Sequence, residues 1–341
     1  MSTGDSILIF PPSIIRDAAI VPSTRQAYSR NLNKFLSHTR LSLPQLLCLP
    51  PNRIDWCLSV YFDYEFHHRG SYHNACHALF GLIFECPSLK PCLGESRLRL
   101  RGWRRLIKHR SHPPITWELT VLFATVMSKW GYHAEAVGTL LSFDCYLRVG
   151  ELTRLQYADV VQSRDPRVGS SHRGIMALRL AVTKTGQNQW VDLGRSEVAE
   201  VLMDHLKAYP FMPSSLIFPF SPAAYRLLIR EVASSVGLGN IPYVPHSFRH
   251  GGATCDYMRG ASIDDIMFRG RWESLKSAKR YVQTARALLI IRDIPAELDA
   301  LGGSFAAHVV SIFRCLGSSV TVRLSRSAMS SLSRWHGRAA S

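Results

Sequence analysis

The segment PHSFRHGGAT, residues 245–254, sets a histidine and an arginine three positions apart, His246 and Arg249. A proline at the entry of a helix places both on one face, one turn apart. A guanidinium beside an imidazole suits binding and protonating one phosphate group. Such H-x-x-R pairs are common by chance, so this one gains weight only from company. The segment CYLRVGELTRLQYADV, 145–160, ends an apolar helix in Arg148, with Glu151 three residues on. An arginine in apolar surroundings needs acceptors, and Glu151 is placed to orient it or another group; a structural Arg–Glu pair reads equally well. Lys184 heads the turn TKTG, from which a flexible ammonium reaches into a cleft, although most turn lysines only solubilise. Finally, RGRWESLKSAKRYVQ, 269–283, holds Tyr281 among cations, with Trp272 nine residues before it. That phenol is either a half-packed rim residue or a group awaiting a phosphate.

The elements that must position these residues are mostly helical. A serine that can cap a helix opens STRQAYSRNLNKFLSHTR (23–40), and Tyr28, Leu32, Phe35 and Leu36 fall on one face. The stretches 54–68 and 71–84 read the same way, so a small helical domain is expected over 23–95 after a tail at 1–22. A basic connector, 96–112, and the break HPP then precede a second domain at 113–291. In that domain the patterns predict helices over 116–129, 134–147, 195–207, 221–236, 246–259 and 277–291. GIMALRLAVT, the turn KTGQNQ and WVDL read as a β-hairpin. Residues 292–341 read as a helix, about 294–316, and a loose basic tail. The expected class is mainly α with a small β-sheet, in two domains.

Charge narrows the partner. Forty-one Lys and Arg against 25 Asp and Glu leave a formal net charge of +16, which points to a polyanion such as nucleic acid or an anionic membrane surface. In 96–110 seven basic residues occur without an acid: Arg97, Arg99, Arg101, Arg104, Arg105, Lys108 and Arg110. Contacts of that kind give strong, salt-sensitive and sequence-blind affinity for phosphates, with Trp103 a candidate stacking side chain; a solvated linker is the plain alternative. The eight cysteines form no C-x-x-C pair and several lie in apolar runs, as in a reducing compartment. No basic-then-apolar leader opens the sequence, and His308 and Arg314 interrupt its most membrane-like stretch, so a soluble intracellular protein is expected. His67, His68, His73, Cys76 and His77 form one cluster rather than the two paired sets typical of zinc, so no metal is expected.

Taken together, an arginine, a turn lysine, an H-x-x-R pair, a tryptophan 23 residues later and a tyrosine nine further on form an ordered set. That order resembles the tyrosine recombinase (phage integrase) family. LRVGEL is similar to the family's first arginine box, HSFRHGGAT to its second, and GASIDDIMFRGRWESLKSAKRYV to its closing box in the Cre-like form with tryptophan. The likeness spans roughly 113–291, and the helical 23–95 segment looks like the family's core-binding domain. Two departures stand out. Gly251-Gly252 replaces larger residues, and Arg271 beside Trp272 competes for the tryptophan or histidine position.

The resemblance implies a site-specific recombinase or integrase acting on double-stranded DNA through a covalent 3′-phosphotyrosine, with no cofactor. Tyr281 would be the nucleophile, while Arg148 and Arg249 would neutralise the nonbridging oxygens. Lys184 would protonate the leaving 5′ oxygen, His246 would act in acid–base exchange, and Trp272 would donate its indole N–H. Glu151 and Arg271 would support them. A duplex clamped between the two domains, and four protomers on two duplexes with the C-terminal helix docked on a neighbour, complete the expectation. The protein would work in a nucleus if eukaryotic, and in cytoplasm if bacterial or phage. A type IB topoisomerase and a decayed DNA-binding relative are the alternatives.

Overall fold

A buried carboxylate sets the start of the basic segment. In the computed structural model, which describes residues 16, 18–107, 112–162, 176–182, 187–209 and 211–317, Asp55 accepts backbone N–H groups from Glu95 and Ser96 at 2.8 and 2.9 Å. These are orphan donors at a helix N-terminus, and a carboxylate there satisfies them and complements the helix dipole. The residues that follow are therefore a helix, Gly94–Leu106, with Leu100 and Trp103 buried on its inner face.

That helix, α5, closes the first of two units, residues 1–110. Before it come α1 (Pro22–Thr39), α2 (Leu43–Leu47), α3 (Pro51–His67) and α4 (Tyr72–Glu85). α1 packs on α4, and α3 on α5, around Phe35, Leu58, Phe62, Leu79 and Leu82. The structure thus corrects the connector expected over 96–112 for its described part. Trp103 meets Phe66 and Tyr72 edge to face instead of offering a surface for bases.

The second unit, 111–341, is built on α6 (Trp117–Lys129) and α7 (His133–Asp144). The sequence of α6 offers almost no polar face, and eleven of its thirteen residues are buried, as befits a helix enclosed on all sides. A short α8 (Val149–Leu152) leads to an antiparallel sheet of β1 (Val160–Val161), β2 (Ala177–Val182) and β3 (Gln187–Asp192), in that order. Leu178 sits opposite both Val160 and Val191, and its alternation with Leu180 turns one sheet face into the core. The expected hairpin is present with a third strand, too short to show in the sequence. α9 (Ser196–Ala208), α10 (Pro222–Ser235) and α11 (Pro245–Met258) pack around α6 and α7.

Three further elements differ from expectation. An unforeseen α12 (Ile263–Gly270) is capped by Ser262, whose Oγ accepts from Asp265 N at 3.0 Å. The helix expected over 277–291 is two: α13 (Leu275–Tyr281) and α14 (Thr284–Asp293). Between them the Gln283 N–H donates to Thr254 Oγ1 at 3.1 Å, a tertiary bond that replaces the helical one. The expected C-terminal helix is also split, into α15 (Ala296–Ala307) on α6 and α16 (Val309–Gly317) on α9. Leu298, Phe305, Val309, Ile312 and Phe313 belong to the core of their own unit in this single chain. Among the described residues no helix is long and apolar enough to cross a membrane.

Candidate active site

The chain leaves α7 through a turn whose geometry organises everything around it. Tyr146 is fully buried with φ +48°, a left-handed conformation unusual for a bulky residue. Its carbonyl accepts from Arg249 Nη1, and from Arg271 Nη2 at 3.3 Å. Arg249 extends from α11 and donates also to the Gly270 carbonyl at 2.7 Å. Arg271, itself left-handed at the end of α12, turns inward to Glu151 Oε2 at 3.0 Å. Glu151 also pairs with the Arg148 guanidinium and accepts from the Arg148 N–H at 2.9 Å.

Three guanidiniums therefore gather round one carboxylate. Burial alone would raise Glu151, but Arg271, the Arg148 N–H and the Arg148 guanidinium outweigh it and hold the carboxyl below its usual range. Burial, with Arg148 and Arg271 nearby, pulls Arg249 down to about 9. Such an excess of buried positive charge is the requirement for seating an anion.

Tyr281 ends α13 beside this cluster. Its Oη lies 3.0 Å from His246 Nε2, and its ring centroid lies 4.6 Å from that of Trp272. The Arg249 guanidinium stands 4.7 Å from the Trp272 ring and 5.1 Å from the Tyr281 ring. Burial, then Arg249, His112 and Arg148, push His246 down to about 4, so at neutral pH its imidazole is uncharged and can accept a proton. The Nε atoms of Arg249 and Arg271 and Nε1 of Trp272 are buried donors without a hydrogen-bond partner among the described residues.

Arg148, Glu151, His246, Arg249, Arg271, Trp272 and Tyr281 thus come together from four stretches of chain. Lys184, Lys108 and Arg110 lie outside the described residues. Arg97, Arg99, Arg101, Arg104 and Arg105 ride on α5 in the first unit. Arg99 is engaged there by Asp63 and Glu95, each at 2.8 Å, while Arg101, Arg104 and Arg105 are exposed. Among the described residues no three His, Cys, Asp or Glu side chains group as metal ligands.

Sequence reasoning missed the support beneath the site. Asp144, wholly buried, pairs with Arg195 at 3.0 Å and Arg269 at 2.9 Å, and accepts the Gly194 N–H at 2.9 Å. Asp256 takes Arg195 at 3.3 Å and the Tyr146 hydroxyl. The one signal was an aspartate in the apolar run LLSFDCYL, since a buried charge must be paired. His250, Thr254 and Gln283, which surround the Tyr281 backbone, gave no such signal.

The Gly251-Gly252 departure has a steric cause. A Cβ on Gly251 would lie 2.1 Å from the Ile115 carbonyl, and one on Gly252 2.1 Å from the Phe143 carbonyl. Without side chains, α11 lies directly on the end of α7 and brings Arg249 to the Tyr146 carbonyl.

Comparison with known proteins agrees with this arrangement. Residues 119–287 match the phage integrase family, while no curated protein matches the chain in sequence. The structure is similar to that of the Tn1549 transposon integrase in complex with transposon right end DNA, with 12% identity over 82% of this chain and 97% of that one, and a TM-score of 0.56. It is also similar to the XerH site-specific recombinase bound to difH substrate, with 15% identity over 78% of each chain and a TM-score of 0.51. At those identities the likeness speaks for the fold, and the family match covers the segment that holds Arg148, His246, Arg249, Trp272 and Tyr281. Residues 119–287 are thus similar to the phage integrase family, and the described fold to those two enzymes.

Proposed function

We propose that Tyr281 is the nucleophile of a site-specific recombinase or integrase that works through a 3′-phosphotyrosine. The observation that carries this reading is the Tyr281 Oη, 3.0 Å from a neutral His246 and beside guanidiniums that outnumber their carboxylate. The phenol oxygen forms a bond to phosphorus as the bond to the 5′ oxygen breaks, and His246 Nε2 receives the phenol proton. Arg148 and Arg249 face the nonbridging oxygens, where charge neutralisation supplies most of the rate. Trp272 fills the tryptophan place of the Cre-like closing box, its Nε1–H donating to the same phosphate. Arg271 serves instead as a brace on Glu151 and the Tyr146 carbonyl. Lys184 supplies the proton to the departing 5′ oxygen, a role that rests on the resemblance of its sequence position. Because the phosphotyrosine stores the energy of the broken bond, rejoining requires neither ATP nor a metal.

The DNA partner fits the charge. Arg101, Arg104 and Arg105 on α5 present three exposed cations for phosphates. The structural neighbours held with DNA substrates, XerH and the Tn1549 integrase, support a duplex as partner. Four protomers on two duplexes is the assembly that strand exchange requires.

The test is adduct trapping. The full chain is incubated with a library of random-sequence nicked duplexes, in which a short 5′-hydroxyl fragment can diffuse away after cleavage. A covalent protein–DNA species on a denaturing gel, absent in Tyr281→Phe, is the expected result, and recovered DNA gives the target. An adduct that persists in Tyr281→Phe would overturn the assignment of the nucleophile.

A further inference from the structure

Tyr281 is the last residue of a seven-residue helix, and the next residue, Val282, is already extended with ψ 108°. A short helix end frays unless something ties it down, and the attacking oxygen of a nucleophile tolerates little displacement. The tie comes from α11. His250, only 4% exposed, stacks its imidazole on the Tyr281 phenol, with centroids 4.5 Å apart and planes at 23°. Thr254, one turn further along α11, donates its hydroxyl to the Tyr281 carbonyl at 3.2 Å and accepts the Gln283 N–H at 3.1 Å.

Gln283 completes the clamp and fixes the imidazole. Its Oε1 accepts from Arg286 Nη1 at 3.2 Å, and its Nε2 donates to the Arg280 carbonyl at 3.1 Å. With the amide oriented in that way, Nε2–H also points at His250 Nδ1, 2.9 Å away. Nδ1 is then the acceptor and the ring proton sits on Nε2, so the Tyr281 carbonyl, 3.3 Å from Nδ1, is a van der Waals neighbour and not a hydrogen-bond partner of the ring. The neighbours that face this ring are His246, with centroids 5.7 Å apart, and the Tyr281 phenol and carbonyl. The ring therefore touches both the phenol and the backbone that carries it, and does not reach the hydroxyl, which belongs to His246.

We propose that His250 is a positioning residue for the nucleophile, its stacked ring and its bond to Gln283 locking the end of α13 so that the Tyr281 hydroxyl meets His246 and the bound phosphate. This rests on Tyr281 being the attacking group. The clamp has no part in the leaving-group chemistry, and that separates it from the acid–base residues.

The experiment uses the full chain and the nicked duplex recovered from adduct trapping, with two leaving groups: the natural 5′ oxygen and a bridging 5′ sulfur, which departs without a proton. His250→Ala is expected to slow single-turnover adduct formation by about 100-fold, with DNA affinity unchanged and the same loss on the sulfur substrate. His250→Phe, which keeps a flat ring, recovers most of the rate, and Gln283→Ala shows a smaller loss of the same kind. Rescue of His250→Ala by the sulfur substrate would overturn the proposal, since the residue would then act on the leaving group. A wild-type rate in His250→Ala would overturn it too, as would equal losses in His250→Ala and His250→Phe accompanied by a lowered melting temperature. Tyr281→Phe, run alongside, separates the two readings: an adduct there removes the nucleophile assignment, and with it the premise, before His250 is judged.

Discussion

The Tyr281 hydroxyl lies 3.0 Å from His246 Nε2, across 35 residues of sequence that lead from the start of α11 to the end of α13. With burial holding His246 down at about 4, the imidazole is neutral at neutral pH, as the proposed transfer of the phenol proton to it requires. His246→Gln keeps a polar side chain but no basic nitrogen, and is expected to lower single-turnover cleavage by about 100- to 10,000-fold while leaving DNA affinity intact. The negative phosphate raises the imidazole in the complex. Its acid limb, measured on prebound DNA, therefore lies at higher pH than in the free protein. A rate in His246→Gln within a few-fold of wild type would remove the histidine from the proton transfer.

Several buried histidines also set how the fold responds to acid. Burial pushes His205 down to about 4 and His250 to about 3, and His246 joins them at about 4, against an ordinary value of 6.5. The unfolded chain takes up protons first, so their contribution to stability falls as pH drops below 6.5 and levels off once the folded values are passed. Melting temperature is expected to decline steadily from pH 7 to pH 4 without any loss of carboxylate pairs being needed. A flat melting profile across that window would contradict the burial of these rings.

Trp272 and Arg271 compete for one place in the sequence, and the structure gives them different work. Trp272 contacts the Tyr281 ring and keeps an unmet Nε1–H, whereas Arg271 is spent on Glu151, Cys145 and Tyr146. Trp272→Phe keeps an aromatic ring and removes the donor, and is expected to slow cleavage by about 100-fold, the usual effect of deleting one donor to developing charge. Trp272→His restores an N–H and recovers part of the rate. Arg271→Ala acts on stability as well, because Glu151 loses a partner. Trp272→His, which loses at least as much volume as Trp272→Phe, separates the donor from the packing: both lower the melting temperature, and only Trp272→Phe lacks the donor.

Why some of this was legible in sequence and some not follows from where the determining contacts lie. Arg148, His246, Arg249, Trp272 and Tyr281 are visible by side-chain type and by their order along the chain, although each alone says little. The pairing of Asp144 with Arg195 and Arg269 joins residues 51 and 125 positions apart, and no local pattern encodes it. The break after Tyr281 fails for the same reason, since the apolar periodicity runs on through α14 while Thr254 diverts the backbone bond. α5 is hidden in another way. Leu93, Ser96, Leu100 and Trp103 are all buried at helical spacing, but a run of arginines lies over that pattern. Arginines with long apolar stems are well suited to the outer face of such a helix.

The C-terminal helices yield a test of the core. Leu298, Phe305, Val309, Ile312 and Phe313 are buried among the residues of α6 and α9, and Arg314 pairs with Asp204 at 2.7 Å and Glu200 at 3.1 Å. Removing one large buried side chain costs about 2–5 kcal/mol, so losing five matches or exceeds the whole stability of an ordinary domain, about 5–15 kcal/mol. A chain ending at Pro295 is expected to be unfolded by circular dichroism and to lose all DNA cleavage. A well-folded, cooperatively melting truncation that lacked only synapsis would instead show that these helices belong on a neighbouring protomer.

Gly252 permits a close approach in the site. A Cβ built on it would lie 2.1 Å from the Phe143 carbonyl and 2.8 Å from the Tyr146 ring. Both obstacles belong to the end of α7 and the turn after it, and the first is backbone, so neither yields cheaply. Gly252→Ala must push α11 away from that turn, and overpacking of this kind costs about 1–3 kcal/mol. The larger effect is on activity, because the same displacement pulls Arg249 from the Tyr146 carbonyl and moves His246 relative to Tyr281. Cleavage is expected to fall by more than the melting temperature suggests, with DNA affinity reduced because Arg249 no longer faces the phosphate squarely. Gly303, where an added Cβ would meet nothing within 4 Å, is the control: Gly303→Ala leaves both cleavage and affinity at wild-type levels. If Gly252→Ala behaved like Gly303→Ala, the close packing of α11 on the Tyr146 turn would not be what sets the arginine in place.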